Sequence, residues 1–166
     1  MKLSYSISGK IWWIQDFLDK KIYKGIHNAI IKERTKLNLK DVKSTWNSFL
    51  YQNMQPPKRV EVNNYPPFEI LKKELLLNPY CLFNDIEDMT TTIHYLERGT
   101  GINWHDDGRW KYGATYYLNN RWHRQWGGEF MFTDANGHGF LPPVGNSLVI
   151  VKAPLPHKVN PVLSPL

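Results

Sequence analysis

From Met89 to Val162 the sequence is cut by turn residues into short β-forming runs, and this limits the fold more than any other feature. Met89–Leu96, rich in Thr and Ile, leads through Glu97-Arg98-Gly99-Thr100-Gly101 into Ile102–His105. Tyr112–Leu118 is closed by Asn119-Asn120, and Glu129–Thr133 follows Gly127-Gly128. Asn136-Gly137 is a strong turn signal. Ser147–Lys152 is a short apolar run, and His157–Val162 a last extended piece. Strands this short and this regularly spaced bury their apolar faces by packing sheet on sheet. The expectation is an α+β, mainly β protein: a β-sandwich or jelly roll with helices on one outer face.

The N-terminal half supplies those helices. Leu3–Ser8 alternates, Gly9 turns, and Ile11-Trp12-Trp13-Ile14 is apolar, so residues 3–14 read as extended. Leu18, Ile22, Ile26, Ala29 and Ile30 then recur at three and four residues, which predicts an amphipathic helix from about Asp16 to Lys36. Asp16 or Asp19 would favour its N-terminal end. Residues 38–64 carry breakers at Gln55-Pro56-Pro57 and Asn63-Asn64-Tyr65-Pro66-Pro67, with Trp46, Phe49, Leu50 and Tyr51 as anchors for a short element. The expectation there is an irregular, substrate-covering loop. A second helix is predicted over about Pro67 to Leu77, with Phe68, Leu71 and Leu75 inward and Asn78-Pro79 ending it. There is no internal repeat. A chain of 166 residues suggests one domain, with helical support over about 1–88 and a β core over about 89–166.

The formal charge is +6. Such a surface suits nucleic acid, an anionic membrane or an acidic co-substrate. Much of the excess lies at Lys20, Lys21, Lys24, Lys32, Arg34, Lys36 and Lys40, which reads first as a solvated helix face. No zinc-finger spacing or RNA-binding aromatic signature accompanies it. The single cysteine, Cys81, has no internal partner for a disulfide. It reads as a small buried hydrophobe in a reducing compartment. No stretch is long and apolar enough for a membrane span or a signal peptide, so a soluble cytoplasmic protein is expected.

The chemistry-bearing residues gather around Trp104-His105-Asp106-Asp107-Gly108. In an extended segment, residues i and i+2 share a face, so His105 and Asp107 can converge on one cation while Asp106 points away. His157 is the candidate third ligand. Two His and one carboxylate, with other positions open, suit a non-haem Fe(II) oxygenase.

Residues 89–163 resemble the 2-oxoglutarate- and Fe(II)-dependent dioxygenases, in particular the prolyl 4-hydroxylase-like branch. The matching text is Tyr95-x3-Gly99-x5-His105-x-Asp107, then Tyr116-Tyr117-Leu118-Asn119, then Gly127-Gly128-Glu129-x-x-Phe132. Pro142-Pro143-x-Gly145-Asn146-Ser147-Leu148-Val149-Ile150 and His157-x-Val159 complete it. The resemblance implies a double-stranded β-helix, or jelly-roll barrel, with the N-terminal helices packed outside. It implies His105, Asp107 and His157 as catalytic metal ligands, Tyr95 as a wall of the co-substrate pocket, and Tyr117 as a donor to the distal carboxylate of 2-oxoglutarate. The implied cofactors are Fe(II), 2-oxoglutarate and O₂, with ascorbate as an optional further ligand. The implied reaction hydroxylates a C–H bond and releases succinate and CO₂.

A prolyl residue of a peptide or protein is the leading substrate. Nucleic acid and a free amino acid are alternatives within the enzyme class, and a non-enzymatic jelly-roll binding module is the alternative outside it. The family also places an Arg or Lys about ten residues after the distal His. The sequence reads Ser164-Pro165-Leu166 there, and Lys158 should point away from His157. The expectation is therefore that the last strand lies beyond the printed residues. Of the remaining candidates, His94 reads as a packing or surface residue facing away from Tyr95. His123 and His138 read as exposed, His27 as a helix residue without a role, and Gly127-Gly128 as backbone geometry. Arg109, Trp110 and Lys111 would border the substrate mouth.

Overall fold

The computed structural model describes residues 2–7, 9–33, 37, 39–41, 56–77, 86 and 88–163. Its strands are β1 (Lys2–Ile7), β2 (Ile11–Gln15), β3 (Lys40–Asp41), β4 (Lys58–Glu61), β5 (Thr92–Tyr95), β6 (Ile102–His105) and β7 (Tyr112–Tyr116). They continue as β8 (Phe130–Asp134), β9 (Gly137–Leu141), β10 (Leu148–Lys152) and β11 (His157–Val159). The helices are α1 (Lys20–Glu33) and α2 (Pro66–Leu76). A main sheet runs β1-β2-β10-β7, a second sheet β6-β11-β8-β9, and a smaller one β3-β4-β5.

β10 explains the layering. Its Leu148, Val149, Ile150 and Val151 are all buried, because both faces of the main sheet are covered. On one face Ile14, Leu148 and Ile150 pack with Ile26 of α1 and Phe68 and Leu75 of α2. On the other, Ile11, Val149 and Val151 meet Phe130, Phe132 and Leu141 of the second sheet, together with Leu155. Each large aliphatic side chain buried this way contributes about 1.5–3 kcal/mol. The result is two antiparallel sheets face to face with helices outside, the jelly-roll arrangement expected from the strand spacing.

The first strands are more than helical support, for β2 lies between β1 and β10 in the main sheet. The boundary drawn near residue 88 therefore does not separate helices from sheet. α1 also starts later than its apolar period implies. Asp16 ends β2 in a left-handed conformation, φ 48°. Phe17 and Leu18 are buried outside the helix, held to Asn146 by Phe17 N–H to its carbonyl (2.9 Å) and Leu18 N–H to its Oδ1 (3.0 Å). Asp19 then accepts the Lys21 N–H at 2.8 Å and caps the helix start.

Residues 38–64 are not all loop. β4 pairs with β5 from Lys58↔Tyr95 to Glu61↔Thr92, just past Pro56-Pro57. Trp46, Phe49, Leu50, Tyr51, Cys81, the Asn78-Pro79 stop, Arg34, Lys36 and the Ser164–Leu166 segment lie outside the described residues. No helix among the described residues is long and apolar enough to cross a membrane.

Candidate metal centre

The site is set at one end of the second sheet by strand register. β11 lies between β6 and β8, so His157 faces His105 on one side and Phe132 on the other. The two imidazole centroids are 4.2 Å apart. Asp107 joins them by a route the alternation argument did not foresee. β6 ends at His105, and Asp107 has a left-handed backbone, φ 54°. Its carbonyl accepts the Trp110 N–H at 2.8 Å, closing a turn that swings the carboxylate back toward the rings. Asp107 Oδ1 lies 3.8 Å from His105 Nε2, and Oδ2 lies 3.6 Å from His157 Nε2. One ligand atom from each of the three residues lies within 4.8 Å of the others.

The hydrogen bonds set the tautomers. His105 Nδ1 is 2.8 Å from the Asn103 carbonyl, and His157 Nδ1 is 2.7 Å from the Leu155 carbonyl. A carbonyl only accepts, so each ring carries its proton on Nδ1 and turns a bare Nε2 lone pair toward Asp107. Burial, and then the His157 ring, lower the His105 imidazole below its ordinary value, which keeps it neutral at pH 7. Burial alone would raise the Asp107 carboxyl. His157, His105 and Arg109 outweigh it and hold that carboxyl below its usual range. Two imidazole nitrogens and one carboxylate oxygen are the ligand set a divalent first-row cation takes in a 2-His-1-carboxylate site.

The surroundings add two residues that spacing alone did not single out. Gly113 of β7 abuts the carboxylate: a Cβ there would stand 3.2 Å from Asp107 Oδ2. A glycine inside a strand run is the signal that marks such a close approach. His94 is half-buried in β5 and lies within electrostatic range of Asp107 and His105, although the sequence reading turned it away. Burial and then Arg59 and His105 push its imidazole down to about 4, against an opposing pull from Asp107. On β2, packed against the cluster between the sheets, Trp13 has a buried Nε1 with no hydrogen-bond partner among the described residues.

The Tyr117 hydroxyl has none either. Its ring packs against the cluster between the two sheets, and burial raises its phenol. An unsatisfied buried donor costs about 1–3 kcal/mol. An anionic acceptor in that interior is what its chemistry fits, as a 2-oxo diacid would supply. The structure groups the three ligand candidates and puts Tyr117 in the wall between the sheets, while Tyr95 stands half-buried on β5, opposite Lys58 of β4.

The other candidates fall as follows. Asp106 turns from the cluster and accepts the Gly108 N–H at 3.0 Å. Lys158 lies over the exposed Trp104 ring, 5.7 Å from its centroid. His123 and His138 are exposed, and His138 belongs to β9 rather than to a turn. Gly127 and Gly128 are buried with φ 70° and 78°, and a Cβ on Gly127 would stand 2.1 Å from the Pro161 carbonyl oxygen, so their role is backbone geometry.

Residues 90–165 match the profile of the 2OG-Fe(II) oxygenase superfamily. No curated protein matches the sequence in a direct comparison. Among solved structures, a Pseudomonas putida prolyl-4-hydroxylase superposes with a TM-score of 0.75 at 18% identity, covering 95% of this chain and 88% of that one. A prolyl hydroxylase in complex with a hypoxia inducible factor oxygen degradation domain peptide fragment, from Trichoplax adhaerens, also gives 0.75, at 16% identity, covering 95% and 80%. These two likenesses are ones of fold. Over residues 90–165 the chain is thus similar to the 2OG-Fe(II) oxygenase superfamily, and as a whole it has the fold of the two solved prolyl hydroxylases.

Proposed function

We propose that the protein is an Fe(II)- and 2-oxoglutarate-dependent dioxygenase that hydroxylates a prolyl residue of a peptide or protein, releasing succinate and CO₂. The observation that carries the reading is the His105, Asp107 and His157 cluster, lying inside the segment that matches the superfamily. In this reading the three side chains hold Fe(II) through both Nε2 atoms and the carboxylate, and Tyr117 donates to the far carboxylate of 2-oxoglutarate. Tyr95 forms a pocket wall. When bound, the metal and the 2-oxo acid supply the O₂ activation that an unactivated C–H bond requires. The chain's own residues orient the acid and the substrate. The carbonyls of Asn103 and Leu155 keep both imidazoles in the metal-binding tautomer.

The peptide substrate is supported by the solved neighbour that holds a peptide fragment, and by the surface next to the ligands. Trp110 is exposed, its N–H is bonded to the Asp107 carbonyl, and the Arg109 guanidinium lies 5.3 Å from its ring centroid. Flat aromatic walls of this kind suit prolyl rings. A nucleic-acid substrate is less favoured. Lys20, Lys21, Lys24 and Lys32 are exposed on α1, which covers the sheet face away from the second sheet. The test is succinate release with a panel of Pro-containing peptides, read with peptide mass. Succinate formed in step with a hydroxylated prolyl residue is expected. Succinate that no peptide stimulates would remove the prolyl reading.

A further inference from the structure

Two donors are buried in the interior between the sheets: the Tyr117 hydroxyl and the Trp13 indole N–H. Both rings pack against the cluster formed by Ile11, Phe130, Leu141, Val149 and their neighbours. Register puts them on one face of the main sheet. Trp13 is opposite Val149, Val149 is opposite Thr115, and Tyr117 follows Thr115 by two residues along the same run. That face also carries Gly113, which abuts the Asp107 carboxylate. The cluster itself reaches the metal centre through Phe130, stacked on His157 with centroids 5.1 Å apart. One continuous wall thus runs from the three ligand candidates to both orphaned donors.

An indole N–H only donates, so neither a cation nor a second donor can satisfy it. A carboxylate offers about four lone-pair sites and accepts from several donors at once. We propose that Trp13 Nε1–H, beside the Tyr117 hydroxyl, donates to the far carboxylate of the 2-oxo acid held at the metal centre. Trp13 is thereby a determinant of the preference for a diacid. The inference rests on the reading of 2-oxoglutarate as co-substrate.

The test compares two ligands of equal chain length in anaerobic Fe(II)-protein: 2-oxoglutarate, and 2-oxopentanoate, which lacks the far carboxylate. Trp13→Phe should weaken 2-oxoglutarate binding about 10- to 100-fold, the factor for losing a hydrogen bond to a charged group, and leave 2-oxopentanoate binding unchanged. Equal binding of 2-oxoglutarate by the wild type and by Trp13→Phe overturns the proposal, as does an equal weakening of both acids. A measurement on the unaltered chain guards against a folding defect in the variant. In ¹⁵N-labelled protein loaded with Zn(II) as a diamagnetic stand-in, one indole N–H signal among the seven tryptophans should move downfield with 2-oxoglutarate and not with 2-oxopentanoate. If no indole signal moves although 2-oxoglutarate binds, the proposal fails. If the wild type binds neither acid, the co-substrate reading fails with it, and that outcome is distinct from the first two.

Discussion

Asp107 occupies a left-handed backbone, φ 54°, a conformation that costs an L-residue about 1–2 kcal/mol unless its side chain compensates. Asn tolerates the same conformation, so Asp107→Asn should keep the fold, with metal-free stability within about 1 kcal/mol of the wild type. It removes the anionic ligand, and Fe(II) affinity in a calorimetric titration should drop by about 100-fold or more. Gly113→Val should act on the same atom from the other side, since a Cβ at that position already stands 3.2 Å from Asp107 Oδ2. Weaker metal binding with the far-ultraviolet spectrum unchanged is the expected result.

His94 gives a pH signature. Its folded pKa, about 4, is below the ordinary 6.5. The unfolded chain therefore binds the proton more readily between those values, and the stability this neutral ring contributes is present above about pH 6.5 and lost as the pH falls toward 4. In metal-free protein, denaturant melts should show about 1–3 kcal/mol of loss across that window, and His94→Gln should flatten it. The cluster of His105, Asp107 and His157 was legible in the sequence because His105-x-Asp107 and His157 are local text. Gly113 and His94 were not, because their approach to Asp107 and His105 depends on tertiary packing that residue spacing does not encode.

At the scale of elements, Asn146 ties the sheet to the start of α1. It is buried at φ 59°, accepts the Leu18 N–H, donates to the Leu18 carbonyl at 2.9 Å, and receives the Tyr116 hydroxyl at 2.8 Å. Asn146→Ala strips these bonds and places a Cβ-only residue at positive φ. A loss of about 2–4 kcal/mol in chemical denaturation is expected. The apolar period could not reveal this start to the helix, since Leu18 fits the helical stripe but is buried ahead of it. β9 escaped the sequence reading for a comparable reason. Its Gly137-His138-Gly139-Phe140-Leu141 text has little β propensity, yet Gly139 is required where it stands, because a Cβ would come 2.2 Å from the Phe132 ring. β6, β7, β8 and β10 were legible because β-forming runs bounded by turn residues mark them directly.

Across the whole molecule, the division of labour follows from the two faces of the main sheet. One face is used up by α1 and α2; the other, with the second sheet, encloses an interior that ends at the cluster of His105, Asp107 and His157. A sheet covered on both sides gives rigid backing to side chains that must hold their geometry. The strand-and-turn text indicated this layering, whereas the part played by β1 and β2 in the same sheet depended on long-range pairing with β10.

The central claim is that His105, Asp107 and His157 hold Fe(II) together with a chelating 2-oxo acid. Anaerobic addition of Fe(II) and then 2-oxoglutarate, followed by visible absorption, tests it most directly. A weak metal-to-ligand charge-transfer band that appears only with both present, and is lost in His105→Ala, is the predicted result. Tight Fe(II) binding with no such band at saturating 2-oxoglutarate would contradict it.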